Sequence, residues 1–74
     1  MKLSDCIKGQ KALIKKIESN EELKQRFYSF GIIQGVEVII GEISFAKNTL
    51  TINVNGTQIA LRVEEAKQIE VELI

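Results

Sequence analysis

The strongest structural signal in this chain lies over residues 49–62, where the sequence reads TLTINVNGTQIALR. Apolar and polar residues alternate on both sides of Asn55-Gly56, the dipeptide typical of a two-residue type I′ turn. Folding about that turn places Leu50 opposite Leu61, and all the large apolar side chains then share one face. We therefore predict a β-hairpin over this stretch.

The residues that follow the hairpin predict one helical turn and a last strand. The turn is expected between Val63 and Lys67. Beyond it, apolar residues at 69, 71 and 73 alternate with glutamates, the pattern of a strand with one face toward solvent. These two elements complete the C-terminal half of a small β domain.

Upstream of the hairpin, residues 20–30 predict a helix. Ser19 is expected to be the N-cap, with Glu22 completing a capping box. Gly31 is placed to end the helix in a left-handed conformation. The expected buried stripe, which recurs at helical spacing, comprises Leu23, Phe27 and Phe30.

Two further strands flank this helix. Residues 10–18 alternate with a change of phase at Lys15-Lys16, which a β-bulge would restore. Another strand starts at Gly35, and Gly41 inside it suggests a second bulge or bend. Five short strands with tight connections favour a mainly β fold, a small SH3-like barrel with one helix inserted between strands 1 and 2.

Composition excludes several classes of protein. Cys6 is the only cysteine and histidine is absent, so neither a disulfide-stapled fold nor a zinc finger can form. No apolar run approaches the ~20 residues of a membrane-spanning helix. Asp5 and Lys8 interrupt any signal-peptide core. We therefore expect a single cytoplasmic domain over residues 1–74.

Two blocks of this sequence resemble one known family. Residues 26–38, RFYSFGIIQGVEV, are similar to the pattern Arg-Leu-x-x-Leu-Gly-Leu-x-x-Gly-x-x-Val. Residues 59–71, IALRVEEAKQIEV, are similar to Ile-Ala-Leu-Arg-x-x-Glu-Ala-x-x-Ile-x-Val. Both patterns belong to the FeoA family of ferrous iron transport accessory proteins. The resemblance covers nearly the whole chain and implies an SH3-like barrel with a helix after the first strand.

The resemblance also implies a function without catalysis. Family members assist the FeoB-type ferrous iron transporter, a membrane protein with a cytosolic G domain, so docking on that cytosolic part is expected. We expect no catalytic apparatus, because Cys6, the single thiol, has no base near it in sequence. No cofactor is expected either. The same domain occurs in some metal-dependent repressors, which leaves open a regulatory module acting in trans.

Metal binding by the chain itself is not expected. Ferrous iron sites favour imidazole together with carboxylate ligands, and imidazole is absent. Glu70 and Glu72 are better explained as the solvent face of the last strand. We therefore assign no metal ligand.

Charge is unevenly distributed although it sums to zero. Lysines at 8, 11, 15 and 16 cluster around the first strand, which suggests an alternative, a small nucleic-acid-associated barrel. Zero net charge and few aromatic residues disfavour it, so no nucleic acid partner is expected. The N-terminal and C-terminal halves of the chain carry net charges of opposite sign. Such a distribution would permit head-to-tail association into a homo-oligomer.

A group of residues in the helix, the loop after it and the end of the hairpin is expected to contact the transporter. Their composition is typical of interface centres. The alternative is that Tyr28 and Ile33 complete the contact between helix and barrel, and that Arg62 pairs with Glu64 or Glu65. The expected partner-binding residues are Arg26, Tyr28, Ile33, Gln34 and Arg62.

Overall fold

Five antiparallel strands form one sheet in the computed structural model, which describes residues 1–74. Helix α1 (Glu21–Ser29) lies between the first two strands, α2 (Val63–Ala66) precedes the last, and a 3-10 turn covers Leu3–Asp5. The strands lie in the order β4-β3-β2-β1-β5. The predicted mainly β fold, with its helix after the first strand, is confirmed. The strands are β1 (Lys11–Ile17), β2 (Glu37–Ser44), β3 (Thr49–Val54), β4 (Thr57–Arg62) and β5 (Ile69–Leu73).

The β3–β4 hairpin has the predicted register. Leu50 pairs with Leu61 and Val54 with Thr57, so the two-residue loop is Asn55-Gly56. The φ angles of Asn55 and Gly56 are 51° and 86°, both in the left-handed region that a type I′ turn requires. The alternating pattern and the turn chemistry therefore specify the same hairpin.

Substitution of valine for Gly56 should destabilise the domain. A β-branched residue is strained at positive φ, and we expect a loss of ~1–3 kcal/mol in the free energy of unfolding. Urea denaturation followed by circular dichroism measures it. Gly56→Asn is the matched control, because asparagine tolerates the left-handed region and should cost less. An unchanged midpoint for Gly56→Val would show that the turn differs from the one described.

Both predicted strand irregularities are present. The pairing of β1 with β5 shifts between Ile14 and Lys16, which leaves Lys15 as the extra residue of a bulge. The pairing of β2 with β3 shifts between Ile40 and Ile43, around Gly41. The bulge in β1 returns Ile17 to the buried face of the sheet, as the sequence required.

The N-cap of α1 is Asn20, so the prediction of Ser19 was wrong. The Asn20 side chain accepts a hydrogen bond from the backbone N–H of Leu23 at 2.9 Å. The Ser19 hydroxyl instead donates to the Asn20 carbonyl. Asparagine is as good a cap as serine, and the helix begins one residue later than a Ser19 cap would place it.

Gly31 ends helix α1 in the predicted left-handed conformation, within a Schellman motif. Gly31 has a φ of 85°. The backbone N–H of Ile32 donates to the carbonyl of Phe27 at 2.9 Å, and that of Gly31 to Tyr28 at 3.0 Å. Phe27 and Ile32 are fully buried, so this turn packs the end of the helix against the core.

The predicted buried stripe of α1 is correct only in part. Phe27 is buried and Leu23 packs against the core, but Phe30 is 37% exposed. Phe30 is the C-cap, where the chain leaves the helix axis. Its ring instead lies 5.8 Å from the Arg26 guanidinium carbon, a cation–π distance.

The two edge strands of the sheet, β4 and β5, are connected by α2. Ala66 in α2 and Ile69 at the start of β5 are both fully buried, so this corner belongs to the core. The N-terminus covers part of the β5 edge, because Val71 donates its N–H to the Met1 carbonyl at 2.8 Å. The outer edge of β5 is thereby partly shielded from other strands.

Candidate functional site

One row of side chains along helix α1 is exposed at the surface beside β1. Burial of Phe27 fixes the rotation of the helix. Lys24 and Tyr28 are four residues apart and therefore lie on one helix face. Tyr28 is 44% exposed, so the alternative that it completes the core applies to only part of the ring.

The turn after α1 is tied to the middle of β1. The Gly35 N–H donates to the carbonyl of Ile14 at 2.8 Å, and the Ile14 N–H donates to the carbonyl of Val36 at 2.9 Å. Gln34 and Ile33 are held in this turn. Ile33 is 44% exposed, so it too lacks a complete core contact and is available to a partner.

Helix, turn and strand together form a surface cleft of about 160 Å³. Two of the five expected partner-binding residues, Tyr28 and Gln34, meet there. Lys16, which follows the bulge residue Lys15, also lines this cleft. We call this the Tyr28 cleft; its lining residues are Lys16, Ile17, Lys24, Tyr28 and Gln34.

The Tyr28 cleft contains two lysines that form no ion pair within the chain. Lys16 and Lys24 have no carboxylate oxygen within 4.0 Å, whereas the neighbouring Lys15 pairs with Glu72 at 3.5 Å. With a phenol and an amide beside them, the two ammonium groups can bind an acidic surface. The lining of the cleft therefore combines two cations with an aromatic ring and an amide.

Arg26 lies apart from this cleft and has a partner within the chain. Its Nη1 atom donates to Glu65 Oε2 at 2.6 Å. Glu65 is only 8% exposed, and its Oε1 atom accepts the backbone N–H of Arg62 at 2.9 Å. Arg26 thus links α1 to α2, and a docking protein would have to compete with Glu65 for it.

Arg62 lies in a different place from the other expected partner residues. It pairs with neither Glu64 nor Glu65, contrary to the simplest expectation, because Glu65 is held by Arg26 and Glu64 accepts from Asn48. It borders a second cleft of about 210 Å³, here called the Arg62 cleft. The lining residues are Lys47, Asn48, Thr49, Arg62 and Glu64.

The sequence alone did not identify all the basic residues of these two clefts. Lys16 was predicted only as one of four clustered lysines, and neither Lys24 nor Lys47 was among the expected partner-binding residues. Two of those clustered lysines, Lys8 and Lys15, are paired with Glu42 and Glu72. The basic cluster expected around β1 is therefore half neutralised, which weakens the nucleic-acid alternative.

Two observations bear on metal chemistry. No group of three or more histidine, cysteine, aspartate or glutamate side chains is placed to hold a metal ion. Cys6 is buried, and burial raises the pKa of its thiol, so the thiolate form that binds metals is disfavoured.

We accordingly predict that the purified protein binds Fe(II) weakly and without defined stoichiometry. Calorimetry under anaerobic conditions measures this directly. A one-to-one site in the low micromolar range would contradict the prediction, and would indicate a carboxylate cluster formed between copies of the chain.

No helix in the structure combines the length and the apolarity needed to cross a membrane.

Comparison with known proteins identifies relatives along the whole chain. Residues 1–73 match the FeoA domain family. A Helicobacter pylori protein, provisionally named Fe(2+) transport protein A, is 40% identical over 73 residues. That alignment spans 97% of this chain and 96% of the relative.

Solved structures share the fold. The FeoA protein of Chlorobium tepidum superposes with a TM-score of 0.93 at 23% identity, over 100% of this chain and 70% of that chain. The manganese regulator SloR gives a TM-score of 0.88 at 22% identity, over 100% of this chain and 34% of SloR. At identities this low, the two superpositions show a common fold and nothing further.

Proposed function

Because this chain belongs to the FeoA family, we propose that it is a cytoplasmic accessory protein of ferrous iron uptake. It would dock on the cytosolic part of an FeoB-type membrane transporter and would catalyse no reaction itself. The family match over residues 1–73 is the observation that carries this proposal. The name of the Helicobacter pylori relative, which refers to Fe(2+) transport, supports it.

The Tyr28 cleft is the surface that we propose for docking. Lys16 and Lys24 favour an acidic counterpart, while Tyr28 and Ile33, which precedes the lining residue Gln34 in the chain, offer half-exposed apolar area. An aromatic residue with apolar area at the centre and charges at the rim is the usual anatomy of a protein interface. The partner surface should therefore be acidic around an apolar patch.

The alternatives have less support. Zero net charge and the pairing of Lys8 and Lys15 leave little positive potential for a nucleic acid backbone. The likeness to SloR is a likeness of fold, so a role as a repressor module acting in trans rests on analogy.

A binding experiment separates these functions. The purified chain should form a complex with the cytosolic part of the transporter, measured by calorimetry over a series of salt concentrations. Duplex DNA and RNA, titrated under the same conditions, should give no binding at physiological salt. Binding to nucleic acid but not to the transporter would contradict the proposal.

A further inference from the structure

Arg62 carries a charge that the fold leaves without a counter-ion. No carboxylate oxygen lies within 4.0 Å of its guanidinium, although Glu64 and Glu65 follow closely in sequence. Glu65 is held by Arg26 and by the Arg62 backbone N–H. Glu64 accepts a hydrogen bond from the Asn48 side chain. Both nearby carboxylates are thus committed to other donors.

The Arg62 cleft brings a second uncompensated cation to the same place. Lys47 also has no carboxylate oxygen within 4.0 Å, and no apolar residue lines the cleft. Two cations therefore face one carboxylate, Glu64, that is already hydrogen-bonded. An arginine fork beside a lysine is well suited to a carboxylate or phosphate group.

Phe45 indicates that the anion belongs to a large molecule. It lies in the turn between β2 and β3, two residues before Lys47, and is 92% exposed, more than any other large apolar residue of the chain. A small free anion would fill the cleft and leave this ring in water. A protein surface could fill the cleft and bury the ring together, and aromatic side chains supply much of the binding energy at such surfaces.

We propose that Phe45 and the Arg62 cleft form a second docking surface, which binds an acidic side chain of a protein partner next to an apolar one. The partner is the cytosolic part of the transporter, so this inference rests on the proposed function. An anionic lipid surface fits less well, because Glu64 would face its dense negative charge and the chain has no net charge to draw it there.

The test compares charge-matched variants in binding to the transporter's cytosolic part. Lys47→Glu with Arg62→Glu should weaken the complex by roughly tenfold or more, as loss of an interface anchor does. Phe45→Ser should weaken it to a similar degree. Lys11→Glu with Lys67→Glu makes the same change in net charge outside both clefts and should leave affinity within about twofold. All these side chains are exposed, so melting temperatures should stay close to that of the wild type.

Each other outcome overturns a specific claim. Wild-type affinity in both the Phe45→Ser and the Lys47→Glu/Arg62→Glu variants would overturn this inference and leave the proposed function intact. Absence of binding by the wild type would overturn the proposed function, and this inference with it. Vesicles of phosphatidylglycerol and phosphatidylcholine form a separate arm. Binding to them that needs Arg62, with transporter binding unaffected, would show that the surface contacts lipid instead.

Discussion

Phe27→Ala should remove most of the free energy of unfolding of this protein. Phe27 is fully buried between α1 and the sheet, and its carbonyl accepts the hydrogen bond that ends the helix. Truncation of a buried phenylalanine costs ~3–5 kcal/mol. A 74-residue domain has total stability of only roughly 5 kcal/mol, the low end for folded proteins. Urea denaturation followed by circular dichroism measures the loss.

Phe45→Ala is the matched control for this prediction. It makes the same chemical change at a ring that is 92% exposed, so its free energy of unfolding should stay within about 0.5 kcal/mol of the wild type. Equal losses in the two variants would mean that α1 does not hold its place through Phe27.

Lys16→Glu combined with Lys24→Glu should reduce affinity for the transporter's cytosolic part by roughly two orders of magnitude. Each reversal replaces an attraction by a repulsion and should cost about tenfold in binding. Neither lysine forms an ion pair within 4.0 Å, but Lys16 lies opposite Glu70 across β1 and β5. Lys16→Glu should therefore lower the unfolding midpoint modestly, and binding is measured well below that midpoint. Titration calorimetry at low and at physiological salt measures the effect, which added salt should diminish.

The same control distinguishes a local effect from an effect of total charge. Lys11→Glu with Lys67→Glu lowers the net charge equally but touches neither cleft. If it weakens binding as much as the Lys16→Glu/Lys24→Glu variant does, the Tyr28 cleft has no special role. A variant of the cleft that keeps wild-type affinity would contradict the docking surface itself.

Local signals in the sequence were enough to predict most of the fold. The register of the hairpin follows from the loop Asn55-Gly56 and from alternation over six residues on each side. The bulge at Lys15 followed from a change of phase within one strand. Such features are specified by neighbours in sequence, which makes them predictable.

Two predictions about helix α1 were wrong. The N-cap was misassigned because two neighbouring residues are both good caps, and the buried stripe was extended because the apolar spacing continues beyond the end of the helix. Ser19 and Asn20 are both good caps, and only the hydrogen bond from Leu23 decides between them. Phe30 continues the spacing of Phe27 but follows the last residue of the helix. Periodicity alone does not define such an end.

The candidate sites were the least predictable feature, because they depend on contacts between distant parts of the chain. Arg26 and Glu65 are 39 residues apart in sequence. Their ion pair gives Arg26 a counter-ion and leaves Arg62 without one. Lys47 and Arg62 meet only because β3 and β4 bring the two ends of the hairpin together. The family resemblance led us to expect a docking protein, but the sequence could not show which cations lack a counter-ion.

The most direct test of the account is to map the contact surface on the protein itself. Titration of isotopically labelled protein with the transporter's cytosolic part, followed by amide chemical shifts, reports which residues the partner covers. We predict shifts at residues 16–17, 24–28 and 33–34, together with a second group at 45–48 and at Arg62. Shifts confined to the outer face of the sheet, around Ile39 and Asn53, or no shifts at all, would contradict the docking of this domain through its two basic clefts.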